Sequence, residues 1–254
     1  MRKPVRLSRL LGPPFHHSPD SLSPVIVGHR GAPTATEENT PQSFATAASS
    51  GARWIELDVR RGAAGALAVH HDPLLADGTA LIDLSADALA ARGVWTLPEV
   101  LARLPEGLGV DLEVKNLPGE PDYDETQRVV DLLTIALQPA VGRRPLMASS
   151  FNPLTVQRLG AALDSVPTGL LHGPGLRITA AAALARELGA TVLCPHVEAL
   201  PPDAETIGAV HDAGLAVMVW VVDDPNEAIQ FAHAGVDALC TNEPGRLVKA
   251  LRMS

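Results

Sequence analysis

Several short segments concentrate ionisable residues to a degree a folded core rarely tolerates. They are Val27-Gly28-His29-Arg30-Gly31, Glu38-Asn39-Thr40, Ile55-Glu56-Leu57-Asp58, His70-His71-Asp72 and Leu112-Glu113-Val114-Lys115. Three sit on short apolar runs that read as buried strands, and burying an unpaired charge costs several kcal/mol or more. In a strand, residues two apart share a face, so Glu56 and Asp58 project together, as do Glu113 and Lys115. Three carboxylates on neighbouring strands suit a hard, oxygen-seeking cation such as Mg2+ or Ca2+. Arg30 and Lys115 would then meet phosphate oxygens. His29 and His71 are the natural proton-transfer pair, because imidazole titrates near neutrality. The competing reading is that Glu56–Arg30 and Glu113–Lys115 are structural ion pairs. His16, His17, His211 and His233 read as structural, His70 as a bystander facing away from His71, and Trp220 as either a substrate platform or a barrel plug.

The elements that must carry these residues alternate regularly. Strands are expected at Val25–Gly28, Trp54–Arg60, Gly109–Lys115, Leu146–Ser149, Thr168–Leu171, Thr191–Cys194, Ala216–Val221 and Ala238–Thr241. Helical periods lie between them at Pro41–Ser50, Pro98–Leu104, Asp124–Leu137, Pro153–Leu163, Ile178–Leu188, Asp203–Ala213 and Asn226–Ala234, with a last one near Pro244–Leu251. Thr40 before Pro41 reads as a helix start, and Gly189 and Gly235 read as stops. Alternating strands and helices imply a parallel sheet. About eight such units in a chain of 254 residues fit an α/β fold of the closed (β/α)8 TIM-barrel type. Ala66–Val69 reads as an extra strand in a hairpin after strand two, and Asp72–Val94 as an insertion. Residues 1–23 are read as an N-terminal arm and 24–254 as a single barrel domain. His29, Arg30, Glu56, Asp58, Glu113, Lys115 and Trp220 all fall at carboxyl ends of expected strands, the face on which barrel enzymes build their sites.

Composition narrows the function classes. The chain is 46% hydrophobic and 3% aromatic with a formal net charge of −9, which disfavours nucleic acid and anionic membrane surfaces as partners. No apolar run approaches the ~18 residues of a membrane-spanning helix, and the basic start Met1–Arg6 lacks a signal peptide's apolar stretch. Cys194 and Cys240 lie in apolar runs and read as reduced core residues, consistent with a cytoplasmic protein.

The ordered series His29-Arg30-Gly31, Glu38-Asn39-Thr40, Phe44, Gly51-Ala52, Ile55-Glu56-Leu57-Asp58-Val59, His71-Asp72-Pro73, Thr96-Leu97-Pro98-Glu99-Val100-Leu101, Leu112-Glu113-Val114-Lys115, Ser150-Phe151 and Gly235-Val236-Asp237 resembles the glycerophosphodiester phosphodiesterase family over about residues 25–248. The resemblance implies a phosphatidylinositol-phospholipase-like barrel with a segment inserted after strand two. It implies Glu56, Asp58 and Glu113 as ligands of one divalent cation, Mg2+ or Ca2+ with Mn2+ as a further option. It also implies His29 as general base, His71 as general acid, and Arg30, Lys115 and Trp220 as substrate-binding residues. The reaction implied is hydrolysis of a glycerophosphodiester to sn-glycerol 3-phosphate and an alcohol. Two alternatives are a lysophospholipid substrate, with Leu74, Leu75, Leu81 and Ile82 forming an apolar groove, and a catalytically silent glycerophosphate-binding barrel. The sequence departs from the family pattern at Gly62–Gly65, at Trp220-Val221-Val222-Asp223 (usually Trp-Thr-Val-Asn) and at Thr241-Asn242 (usually Thr-Asp). None of these departures removes a catalytic group.

Overall fold

The computed structural model describes residues 24–253; the expected arm at 1–23, with His16 and His17, lies outside them. Eight parallel strands close into a barrel. In chain order they are β1 (Val25–Gly28), β2 (Trp54–Arg61), β4 (Gly109–Val114), β5 (Leu146–Ser150), β6 (Thr168–His172), β7 (Val192–Pro195), β8 (Ala216–Val219) and β9 (Ala238–Thr241). The sheet closes because β1 pairs with both β2 and β9. The short β3 (Leu67–Val69) lies antiparallel on β2, forming the expected hairpin. Helices α1 (Pro41–Ser49), α2 (Ala86–Ala90), α3 (Leu97–Arg103), α4 (Arg128–Leu137), α5 (Pro153–Ala162), α6 (Ile178–Glu187), α7 (Ala204–Asp212), α8 (Pro225–Ala234) and α9 (Pro244–Leu251) complete the described residues.

Strand alternation sorts the core into two layers. Ile26, Ile55, Leu57, Val110, Leu112, Ala148, Leu170, Val217 and Leu239 face outward into the layer beneath the helices. Val25, Val27, Trp54, Met147, Leu171, Cys194, Met218 and Cys240 fill the barrel itself. Cys194 and Cys240 are buried free thiols, as expected. On β2 and β4 the inward face turns from apolar to charged as the strands rise. Trp54, Glu56, Asp58 and Arg60 follow one another on β2, opposite Gly109, Asp111, Glu113 and Lys115 on β4 and just beyond it. Gly109 is obligatory at the base, because a Cβ there would lie 2.2 Å from the Trp54 ring.

Helix starts follow their chemistry. Thr40 accepts from Ser43 N at 3.2 Å ahead of Pro41, and Glu99 closes a capping box on Thr96 at 3.0 Å. Gly235 terminates α8 in the left-handed conformation, φ +97°. One expected helix is shorter than its periodicity suggests: α4 begins at Arg128, not Asp124. The Asp124 carboxylate accepts from Thr126 N and Arg128 N, its own N–H donates to Asn116 Oδ1, and Gln127 adopts φ +61°. These side-chain bonds hold the preceding residues as a loop over the barrel. The insertion is also more ordered than a loose loop, since Leu81, Leu84, Leu89 and Val94 bury against Ala68 in a small core of their own. Leu81 is therefore unavailable to the apolar groove that the lysophospholipid alternative would use, while Leu74 remains exposed.

Candidate active site

The turn after β1 sets the first group. Gly31 N bonds back to Gly28 O at 3.1 Å, and Gly31 holds φ +94° packed against Ser43, where any side chain would collide. Arg30 sits at φ +51° and is tied from several sides. Its N–H donates to Glu56 Oε2 at 2.8 Å, and its carbonyl accepts from Asn39 N and Ser43 Oγ, both at 3.0 Å. Its guanidinium reaches Glu38 at 2.9 Å and Asp58 at 3.4 Å. Asn39 grips Asp58 in both directions, donating from Nδ2 at 2.8 Å and accepting from Asp58 N at 3.2 Å.

Glu56, Asp58 and Glu113 converge inside the barrel, each buried, with one carboxylate oxygen from each within 4.8 Å of the others. Lys115 Nζ bridges two of them, at 3.0 Å from Asp58 Oδ1 and in contact with Glu113 Oε1. Glu56 Oε1 is buried without a hydrogen-bond partner among the described residues. The electrostatics follow from this imbalance. Burial, with repulsion from Asp58 and Glu113, pushes the Glu56 carboxyl well above its usual range. Burial pushes Glu113 up to about 7 against the pull of Lys115. Burial would raise Asp58 too, but Lys115, Arg30 and Asn39 hold it below the ordinary carboxylate value. Three buried carboxyls beside two shared cations, one oxygen orphaned, form a triad that could bind a metal ion.

The two histidines stand in different surroundings. His29 Nδ1 lies 2.7 Å from Asn242 Oδ1, and burial lowers its pKa despite that bond. His71 Nδ1 lies 2.7 Å from Asp72 Oδ1 at the protein surface. Both rings act electrostatically on Asp58. His70 turns instead to the Asp72 carbonyl, 2.9 Å away. Trp220 is half-buried at the mouth. Its indole N–H donates to Cys194 O at 2.8 Å, and its ring meets Phe151 and His196 edge-on at 5.4 and 4.8 Å. It thus packs against the inner core, and its neighbour Phe151 lies with its ring 5.9 Å from Lys115 Nζ.

Three residues near these groups were not anticipated. Arg60 is almost wholly buried; its Nε donates to the His71 carbonyl at 2.6 Å and its NH1 to Glu120 and Asp122 at 2.9 and 3.0 Å. Asp111 lies one layer below Glu113, bonded to Ser149 at 3.1 Å, with burial pushing its carboxyl up to about 8. Asp223 holds Asn242. The strand period alone would have placed Arg60 two residues above Asp58 and Asp111 two below Glu113, both facing inward.

The sequence profile of the glycerophosphoryl diester phosphodiesterase family matches residues 29–246. A glycerophosphodiester phosphodiesterase of Caldanaerobacter subterraneus is 25% identical over 254 residues, covering 91% of this chain and 99% of its own. Among solved structures, a phosphodiesterase of Oleispira antarctica in complex with the product sn-glycerol-3-phosphate superposes with a TM-score of 0.77 at 22% identity, over 91% of this chain and 97% of that one. A glycerophosphodiester phosphodiesterase of Thermotoga maritima does so at 0.74 and 23% identity, over 89% and 97%. The match runs from the first strand's histidine to the last helix, so the chain belongs to the glycerophosphoryl diester phosphodiesterase family and is an enzyme of that class.

Proposed function

We propose that the chain hydrolyses glycerophosphodiesters to sn-glycerol 3-phosphate and an alcohol, with Glu56, Asp58 and Glu113 holding one divalent cation, Mg2+ or Ca2+ before Mn2+. The observation that carries this reading is the buried carboxyl triad, with an orphaned oxygen on Glu56, ringed by His29, Arg30 and Lys115 at one end of the barrel. A cation bound there would supply Lewis-acid polarisation of the phosphodiester and of an attacking oxygen. Arg30 and Lys115 offset charge on the non-bridging oxygens, a contribution that grows as the reaction proceeds.

The surroundings of the two histidines divide the proton transfers. His29 is buried beside a neutral amide, which favours the unprotonated ring of a general base. His71 stands at the rim with Nδ1 2.7 Å from the Asp72 carboxylate, which orients the ring for the role of general acid toward the departing alcohol. Trp220 and Phe151 form the apolar wall on the Lys115 side. Arg60 holds the main chain of His71 in register with the barrel. For a lysophospholipid substrate the insertion offers less apolar surface than its sequence suggests, because Leu81 is buried while Leu74 stays exposed. A silent barrel would have lost one of these groups.

The test is release of glycerol 3-phosphate from glycerophosphocholine and glycerophosphoethanolamine, comparing EDTA, Mg2+, Ca2+ and Mn2+, with His29→Ala in parallel. Turnover that needs a cation and falls by about 100-fold or more in the variant is the expected result. Folded protein that turns over neither diester with any cation would overturn the assignment, and lysophospholipids would be assayed next.

A further inference from the structure

Asp223 follows β8, and Asn242 follows β9. Their side chains meet at the mouth beside His29. Asp223 Oδ1 accepts from Asn242 N and from Thr241 Oγ1, each at 2.8 Å, and Asp223 Oδ2 accepts from Asn242 Nδ2 at 2.8 Å. A carboxylate accepts and does not donate, so the amino end of the Asn242 amide must face Asp223. Its oxygen is then the only end left for His29, 2.7 Å from Nδ1. An amide oxygen also only accepts, so a proton must sit on Nδ1, and in the neutral ring the lone pair is then on Nε2.

We infer that Asp223 and Asn242 are positioning residues that fix the tautomer of His29, Asp223 acting through the Asn242 amide. This rests on the reading of His29 as general base, which needs Nε2 unprotonated. The arrangement differs from a direct carboxylate–imidazole pair. The negative charge stands one residue away from the ring, and what reaches His29 is orientation through a neutral acceptor. Thr34 Oγ1 donates to Asn242 O at 3.1 Å and Glu243 N to Thr241 Oγ1 at 3.0 Å, so the main chain on both sides of the amide is pinned as well.

The chain of donors makes an unusual demand on single and paired substitutions. In Asp223→Asn, the new carboxamide keeps its oxygen on Asn242 N and Thr241 Oγ1, and its amino group then faces the Asn242 amino group. Two donors cannot pair, so Asn242 turns over and presents its amino end to His29. Nδ1 must then accept, and the proton moves to Nε2. Adding Asn242→Asp restores an acceptor toward both neighbours and returns the proton to Nδ1.

The experiment measures kcat/KM on glycerophosphocholine and the ring 15N signals of His29 in the full chain, for the parent, Asp223→Asn, and Asp223→Asn with Asn242→Asp. The expected result is a loss of about 100-fold in the single variant with a signal for protonated Nε2. The paired variant should recover most of the loss and the Nδ1-protonated signal, a coupling far outside additivity. An unchanged His29 tautomer in Asp223→Asn, or a paired variant no better than the single one, overturns the inference. His29→Gln serves as the separating arm. If it keeps full activity the base assignment fails, while the 15N signals still decide whether Asp223 sets the tautomer.

Discussion

Two histidines meet an aspartate at opposite ends of the barrel, and they do so differently. At the amino-terminal base, His211 Nε2 contacts Asp237 Oδ2 directly at 2.8 Å, and the same oxygen accepts from Val217 N at 2.8 Å. That pair ties α7 to the entries of β8 and β9. At the mouth, His29 reaches Asp223 only through the Asn242 amide. The base uses the pairing to join elements. The mouth uses it to orient a ring while withholding the charge. Residue type alone does not distinguish these uses; the end of the strand at which they fall does. The same contrast runs down the inside of β2 and β4, from Trp54 against Gly109 at the base to Asp58 against Glu113 near the top.

Three substitutions probe that contrast. The largest effect is expected at the mouth: Glu56→Gln should lower kcat by about 100-fold or more and remove the rise in Tm that Mg2+, Ca2+ or Mn2+ gives the parent. A variant that retains both would place the cation elsewhere. The middle layer should respond to pH. The Asp111 carboxyl is pushed from an ordinary 3.8 up to about 8 by burial, and Glu113 from 4.5 to about 7. Between those values the folded chain holds protons that unfolding releases, so without added cation the contribution of these two carboxyls to stability falls as pH rises from about 4 to about 8. Asp111→Asn keeps the shape without the charge. Its melting temperature should exceed the parent's at pH 8 by about 5 °C and converge with it near pH 4. A constant offset across that range would contradict the buried-proton account. The smallest effect belongs to the base. His211→Gln should cost about 1–2 kcal/mol of stability with kcat unchanged, and a tenfold drop in kcat would abolish the division between the two ends.

The sequence made the mouth legible where chemistry and period coincide. Glu56 with Asp58 and Glu113 with Lys115 are spaced two apart on apolar strands, and that spacing alone puts each pair on one face. Register was not legible. Nothing local says that Asp58 lies beside Glu113, or that Glu56 lies beside Asp111. Asp223 and Asn242 could be recognised as departures from the family pattern, yet their contact depends on β8 and β9 being neighbours and on loop geometry beyond both. Lys115 was expected inside its strand and sits just past it. Asn39, named in the sequence only as part of Glu38-Asn39-Thr40, both steadies the turn after β1 and clamps Asp58. The start of α4 was misplaced because Asp124 looks like an ordinary helix entry until its side chain is seen capping a loop.

Arg60 anchors the His71 main chain to the barrel wall, and it joins that segment to the loop bearing Glu120 and Asp122 instead of to the 73–94 insertion. The insertion buries Leu81, Leu84, Leu89 and Val94 against Ala68 of β3. The His71 main chain is thus held to the barrel wall, while the neighbouring segment packs against the β3 hairpin through Ala68. Such a division would let the insertion be lengthened, shortened or exchanged while Arg60 keeps the His71 main chain in place, which makes it the place to graft new selectivity onto this barrel.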